Sequence, residues 1–150
     1  MKRVMPLFLM LLVLLAVETA WAQSSPALGV RGGLSRSPDK GYLGLQTEFG
    51  EIFYGAHLAP SFDFLLSDRS MTVLNGDLRW YLFPLPETGI RFYGAAGPAL
   101  VLSPDTDLGF CLTVGIHVPM KYQRRYNLEL RFGFGDVSDL KIGVGILFGL

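Results

Sequence analysis

Large apolar residues occupy every second position along most of the chain, and the pattern is clearest between residues 126 and 150. There the apolar positions are Tyr126, Leu128, Leu130, Phe132, Phe134 and, after a polar break at residues 136–139, Ile142, Val144, Ile146, Phe148 and Leu150. Small or charged residues fill the positions between them. Because successive side chains of a strand point to opposite faces, this alternation predicts strands with one apolar face and one small or polar face.

The same alternation recurs from residue 28 onward and predicts eight strands. Polar stretches at residues 36–41, 67–70, 103–107 and 136–139 are predicted to connect strands at one end. The links at the other end are a very tight connection near residue 51 and the stretches 84–89 and 121–125. Short connections favour antiparallel neighbours. Eight strands also suit a closed barrel, in which no sheet edge is left unpaired. The predicted fold class is therefore all-β, a closed eight-stranded antiparallel up-and-down transmembrane barrel with short turns.

Side-chain size predicts which face of the barrel points inward. The apolar face carries Trp80 and many Phe and Leu side chains, more than a narrow eight-stranded interior can hold, whereas the other face is rich in glycine. We therefore expect the apolar face to contact lipid. Buried charges persist when they are paired, so we expect a salt-bridge network that plugs the interior. Its predicted members are Arg31, Glu48, His57, Asp63, Asp77, Arg79, Arg91, His117, Glu129, Arg131 and Lys141.

Two further features follow from the strand positions. Aromatic residues are expected to form one girdle at each end of a membrane barrel. One predicted girdle contains Phe49, Tyr54, Trp80, Phe83, Phe92, Tyr122, Tyr126 and Phe148; the other contains Tyr42, Phe62, Phe64, Phe110 and Phe134. Pro60 and Pro98 fall inside predicted strands, and their missing N–H groups predict a bulge at each.

The first residues have the pattern of an export signal. Lys2 and Arg3 precede an apolar run at residues 4–17, which is shorter than the ~20 residues of a membrane-spanning helix. Ala20-Trp21-Ala22 matches the small-x-small cleavage pattern. We therefore predict a cleaved signal peptide at residues 1–22 and a barrel domain at residues 23–150.

Composition and spacing exclude several kinds of chemistry. Lys+Arg and Asp+Glu are equal at 13 each, so no basic excess is available for binding nucleic acid. A single cysteine, Cys111, excludes an intramolecular disulfide. His57 lies on the same predicted face as Ser61 and Asp63, but spacing alone supplies neither contact nor substrate access. We predict a protein that is not an enzyme and has no metal or cofactor.

The final segment carries the most specific motif. Lys141-x-Gly143-x-x-Ile146-x-Phe148, followed by Leu150, resembles the signal on the last strand that the outer-membrane assembly machinery reads. Together with the eight segments and the export signal, it makes the chain similar to the eight-stranded outer-membrane β-barrel family, of OmpA-like and opacity-like type. The resemblance implies a monomer in the outer membrane of a Gram-negative cell, with membrane lipid and the assembly machinery as partners.

The expected role is structural or in maintenance of the cell envelope. Three alternatives stay open from the residues alone. The barrel could be a narrow pore or a carrier of a small hydrophobic molecule. It could be a lipid-modifying outer-membrane enzyme. Finally, it could be a soluble periplasmic barrel, which would bury its apolar face instead of showing it to lipid.

Overall fold

The computed structural model describes residues 26–36, 39–66, 71–102, 106–135 and 139–150. The strands are β1 (Ala27–Arg36), β2 (Asp39–Glu48), β3 (Glu51–Phe53), β4 (Ala56–Leu65), β5 (Met71–Pro84), β6 (Arg91–Leu102), β7 (Asp107–Pro119), β8 (Arg124–Gly135) and β9 (Leu140–Gly149). In the described ranges, no helix is long and apolar enough to cross a membrane. The predicted signal peptide at residues 1–22 lies outside these ranges.

Eight of the strands form a closed barrel. Each long strand pairs antiparallel with its neighbours in the order β2-β1-β9-β8-β7-β6-β5-β4, and a pairing between β2 and β4 completes the ring. The predicted closed, antiparallel, up-and-down barrel is confirmed. We call the end that carries the start of β1 and the end of β9 the terminal end. The opposite end, where β1, β4, β6 and β8 finish, is the loop end.

The short strand β3 was not predicted, and it continues the path of β2 along β4. The β2–β4 ladder ends at Gln46↔Ser61, and β3 resumes the pairing one residue out of step at Glu51↔His57. A two-residue turn at Tyr54 and Gly55 then leads into β4, with φ angles of 46° and 74°. Positive φ at both central residues is what a type I′ hairpin turn requires. The tight connection expected near residue 51 therefore lies at residues 54–55.

The expected bulge at Pro60 is absent. Pro60 pairs in regular register with Gly76 of β5, and on its other side the β2–β4 ladder has already ended at Ser61. The missing N–H of the proline therefore costs no ladder hydrogen bond. Its carbonyl oxygen is still used, since it accepts a hydrogen bond from Thr47 Oγ1 at 3.2 Å.

The expected bulge at Pro98 is absent too. Pro98 pairs in register with Phe110 of β7, and on the β5 side it lies opposite Gly76, where the ladder has no assigned pair. A Cβ built on Gly76 would lie 3.6 Å from Pro98 Cγ, an ordinary contact. The register shifts occur instead between Glu51 and Phe53 and between Tyr81 and Phe83.

The two faces of the barrel differ in the way that the alternation predicts. Large apolar side chains point outward and are exposed along every long strand except the covered start of β4. At the terminal end the exposed aromatic residues are Phe53, Tyr54, Phe83, Phe92, Tyr122, Tyr126 and Phe148; near the loop end they include Phe62, Phe64, Phe110 and Phe134. Phe49 departs from its predicted girdle, because it is buried against Leu58 with Ile52 and Leu78 around it.

Tyr42 is a second correction to the predicted girdles. It points into the barrel and is almost fully buried, because the alternation of β2 places it with Gly44 and Gln46 rather than with Leu43. It belongs to an apolar cluster inside the loop end. The other buried members are Leu65, Val73, Ala99, Val101 and Cys111.

Strands β1 and β2 extend further than predicted, since Arg36 and Asp39 are paired on either side of residues 37–38.

Candidate functional site

The barrel interior holds a connected set of buried charges, and Arg31 is at its centre. Arg31 Nε and Nη2 donate to the two carboxylate oxygens of Asp63, each at 2.8 Å, and Nη1 donates to Glu129 Oε1 at 2.8 Å. Ser61 Oγ accepts a further bond from Nη2 at 2.9 Å. Lys141 Nζ lies 3.3 Å from Asp63 Oδ2. Ion pairs thus join strands β1, β4, β8 and β9 across the lumen, because each strand contributes one inward-facing charged side chain at the same depth.

Glu129 connects this group to the aromatic side chains of the interior. Asn127 Nδ2 donates to Glu129 Oε2 at 3.0 Å and to Gln46 Oε1 at 3.2 Å. The Tyr93 hydroxyl donates to Asn127 Oδ1 at 2.7 Å. The guanidinium of Arg79 lies over the Tyr93 ring, 4.2 Å from its centroid. Since desolvated cation–π contacts of this kind are favourable, Tyr93 links the Arg31 group to the charges nearer the terminal end.

A second group of charges surrounds Glu48. Its carboxylate accepts from Arg79 Nη1 at 2.5 Å, from Arg125 Nη1 at 2.9 Å and from the Tyr81 hydroxyl at 2.8 Å. Arg79 Nη1 also lies 3.2 Å from His117 Nε2, and His117 Nδ1 lies 3.0 Å from the Tyr81 oxygen. A guanidinium can only donate, so Nε2 accepts and the imidazole proton lies on Nδ1. The His117 Nδ1–H therefore donates to the Tyr81 oxygen, and the Tyr81 hydroxyl donates in turn to the Glu48 carboxylate.

A third group pairs Arg131 with Asp77. Arg131 Nη2 donates to Asp77 Oδ2 at 2.6 Å, and its Nε donates to Thr113 Oγ1 at 3.1 Å. Asp77 Oδ1 and Arg131 Nη1 have no hydrogen-bond partner among the described residues. Nearby, Cys111, Arg131, Gly133, Asp139 and Lys141 line a cavity of about 10 Å³. That volume corresponds to one water molecule.

Most of the predicted interior residues lie in these three groups. Arg31, Glu48, Asp63, Asp77, Arg79, His117, Glu129, Arg131 and Lys141 are all buried. Within the described residues, the buried cations and anions are equal in number, four arginines or lysines against four carboxylates. Continuous hydrogen bonding of this kind satisfies charges that would otherwise be costly to remove from water.

Two predicted members differ from the rest. Arg91 faces inward but is exposed, and its guanidinium lies 5.6 Å from the centroid of the Tyr81 ring. It forms no ion pair with any described residue, because it begins β6 at the terminal end, where solvent reaches it. His57 is half-buried and contacts Tyr81 edge to face, with ring centroids 5.1 Å apart. Its ring contacts the Glu48 group through Tyr81.

Several members of the interior hydrogen-bond network were left out of the set predicted from the sequence. They are Gln46, Ser61 and Asn75, Tyr81 and Tyr93, Thr113, Arg125 and Asn127. Most share the alternation of the charged residues, so the signal was present but was applied to the charges alone. Arg125 was placed in a link between strands, whereas it pairs with Pro119 inside the β7–β8 ladder.

The combination of His57, Ser61 and Asp63 is not arranged for nucleophilic catalysis. Ser61 Oγ accepts from Arg31, and Asn75 Nδ2 lies 3.3 Å from it. In the described part of the chain no hydrogen bond joins Ser61 to His57, whose ring contacts Tyr81 instead. The same ranges contain no group of three His, Cys, Asp or Glu residues placed to hold a metal ion.

The residues of the expected assembly signal lie on and just beyond β9. Lys141 and Gly143 face inward, and Gly143 lies so close to the Tyr42 hydroxyl that a Cβ would overlap it. Ile146 and Phe148 face outward. Leu150 follows the strand, and its N–H donates to the Pro26 carbonyl at 2.9 Å. β9 thereby closes the barrel against β1, and recognition by the assembly machinery stays a prediction.

Comparison with known proteins shows a similarity of fold. No protein-family model matches the chain, and no curated protein matches it. Among solved structures, the N-terminal β-barrel domain of Pseudomonas aeruginosa OprF is similar with a TM-score of 0.68 and 16% identity, over 85% of this chain and 98% of that one. Neisserial surface protein A is similar with a TM-score of 0.70 and 9% identity, over the same shares of the two chains. This protein therefore has the fold of the eight-stranded outer-membrane barrels.

Proposed function

We propose that the protein is an integral outer-membrane barrel that inserts as a monomer and has a structural role in the cell envelope, with a plugged interior. The observation that carries the proposal is the exposed apolar outer face. Val30, Leu45, Val114 and Val144 are each more than half exposed although they lie in the middle parts of four strands. A soluble protein rarely exposes a contiguous apolar surface of this size, whereas a membrane barrel presents it to lipid.

The interior supports a closed rather than a conducting barrel. The Arg31 group spans the lumen from β1 to β4 and β8, and the Glu48 group joins β2, β5, β7 and β8 nearer the terminal end. Toward the loop end the apolar cluster around Tyr42 and Leu65 follows. Ions moving through the barrel would have to displace charge-assisted hydrogen bonds at two levels and then cross an apolar segment. We therefore expect no steady ionic current.

Localisation rests on features of both sequence and fold. The predicted export signal at residues 1–22 and the motif on β9 both favour passage to the outer membrane. The similarity to two outer-membrane barrels supports the same compartment. Membrane lipid and the assembly machinery are the partners that this location implies.

Two measurements test the proposal. The barrel should be recovered in outer-membrane fractions and migrate faster on gels when unboiled, because a closed barrel resists unfolding by detergent. In planar bilayers it should give no steady ohmic current. An Arg31→Ala/Glu129→Ala variant, which removes the ion pair between these two side chains in the lumen, should conduct more often. Steady current from the unaltered protein would favour the narrow-pore alternative instead.

The remaining alternatives have distinct outcomes in the same preparations. Recovery of the mature chain in the soluble periplasmic fraction would favour a soluble barrel and contradict the proposal. A change in lipid A mass spectra that depends on expression of the protein would favour a lipid-modifying enzyme. The proposal expects unchanged lipid A, because Ser61 is held by Arg31 and by Asn75 inside the barrel.

A further inference from the structure

The outer face of the barrel is almost free of charge, and its two exceptions lie at opposite ends. Among the outward strand positions whose side chains the structure describes, the charged residues are Arg36 at the loop end and Arg124 at the terminal end. All other such positions hold apolar residues, glycine, proline, threonine or tyrosine. A cation at the edge of an apolar band lies at the depth of the headgroup region of a membrane, where water and lipid phosphates are available to it.

Arg124 lies where an aromatic girdle meets the terminal end. It is exposed, it pairs in register with Phe148 of β9, and its guanidinium lies 5.6 Å from the centroid of the Phe148 ring. The turn before it contains the exposed residues Lys121 and Tyr122. Tyr122 has a φ of 63°, so the turn holds its backbone in a conformation that few non-glycine residues adopt. Cations and aromatic rings therefore lie together at the depth of a membrane interface.

The carboxylates of the described residues do not neutralise this pair of cations. Neither Lys121 nor Arg124 forms an ion pair within the described ranges, although the next residue, Arg125, turns inward to Glu48 at 2.9 Å. Arg36 differs, because it lies opposite Asp39 in the β1–β2 register. At the terminal end the corresponding register position holds no acidic residue, since Arg124 lies opposite Phe148. Lys121 and Arg124 are therefore available to a negatively charged group from outside the described residues.

We propose that Lys121 and Arg124 form a binding surface for the phosphate headgroup of an anionic phospholipid in the leaflet at the terminal end. The inference rests on the proposed membrane insertion. Arg124 lies at the edge of the apolar band, where a headgroup phosphate would lie, and a guanidinium matches phosphate geometry with two parallel donors. Lys121 adds a second positive charge in the adjoining turn. The flanking rings of Phe148 and Tyr126 would contact the upper part of the acyl chains.

The test measures headgroup selectivity of the barrel in phosphatidylcholine vesicles, with spin-labelled phosphatidylglycerol and spin-labelled phosphatidylcholine as probes. A surface cation contributes about fivefold to the association of an anionic lipid. We expect the unaltered barrel to prefer phosphatidylglycerol, and Lys121→Gln/Arg124→Gln to lose most of that preference, by about fivefold per charge removed. Arg124→Lys keeps the charge but not the two parallel donors, so it should keep more of the preference than Arg124→Gln does.

Arg36→Gln is the matched control, since it removes the other outward arginine at the opposite end of the same barrel. It should leave the selectivity unchanged. Equal loss in Arg36→Gln, or full selectivity in the Lys121→Gln/Arg124→Gln variant, would overturn the inference. Heat-modifiable migration is recorded first for every sample. If the unaltered chain did not insert, the proposed function itself would fail, and this result is distinct from insertion without headgroup preference.

Discussion

The two faces of β8 show opposite relations between polarity and burial. The outward residues Leu128 and Phe132 are 49% and 39% exposed, whereas the inward residues Glu129 and Arg131 are 3% and 2% exposed. In a water-soluble barrel the charged residues would be the exposed ones. This inversion within one strand supports the proposal that hydrocarbon surrounds the outer face, and it shows that the interior holds paired charges at this depth.

The largest loss of stability is expected when one charge of an inward-facing ion pair is removed. We expect Asp77→Leu to destabilise the barrel by ~3–5 kcal/mol, because it leaves the buried guanidinium of Arg131 without its carboxylate. Urea unfolding in lipid vesicles, followed by the fluorescence of Trp80, measures the change in the free energy of unfolding.

A double variant separates the cost of leaving the Arg131 charge unpaired from the cost of losing the contact between the two side chains. Asp77→Leu/Arg131→Met should recover most of the stability, since a well-packed apolar pair often replaces a buried ion pair at little cost. If the double variant is as unstable as the single one, the interior depends on shape rather than on charge balance at this position.

On the outer face, the corresponding change is to add a charge. Leu130 lies between Val114 of β7 and Ile142 of β9, in the middle of the apolar band. Leu130→Arg should cost ~2–4 kcal/mol in a bilayer, since a cation at the midplane has no water around it. The matched control is Phe83→Arg at the terminal edge, where the residue lies opposite the uncharged Phe92 and the cost should fall to about 0–1 kcal/mol. Equal costs at both depths would contradict a lipid-facing outer surface.

Glycines on the two faces offer a smaller test. Gly143 faces inward under the Tyr42 hydroxyl, so Gly143→Ala should overpack the interior and cost ~1–3 kcal/mol. Gly76 faces outward, and its added Cβ would make an ordinary contact with Pro98, so Gly76→Ala should cost little. Adding Tyr42→Phe to Gly143→Ala should restore part of the loss in the same unfolding assay. No recovery would mean that the backbone, and not the hydroxyl, limits the space.

Much of this arrangement could be predicted from the sequence because strand alternation is a local property. The period of two assigns Leu130 outward and Arg131 inward without any knowledge of neighbouring strands, and eight such segments predict closure. The pairing partners could not be predicted. Arg31 joins Asp63 and Glu129 across the lumen, and those contacts depend on the tilt and register of the strands around the ring.

The errors arose where the regular pattern stops. Tyr42 was assigned to a girdle by its chemistry, although its position in the alternation places it inside. The two prolines were expected to force bulges, but Pro60 lies beyond the end of the β2–β4 ladder. Pro98 lies at a gap in the β5–β6 ladder, and the register is the same on both sides of that gap. The strand β3 arises from a register slip after Gln46, and such slips have no signature in the period of two.

The smallest expected effect compares two inward arginines at different depths. Arg79 is buried and bonded to Glu48, whereas Arg91 is exposed at the terminal end and contacts the described residues mainly through the Tyr81 ring. We expect Arg91→Gln to cost only ~0.5–1 kcal/mol, the range of an exposed cation–π contact. Arg79→Gln should cost several times more in the same unfolding assay, because it leaves Glu48 buried with Arg125 as its remaining charged partner. Similar costs for the two variants would mean that burial does not decide how much an inward-facing charge contributes to stability.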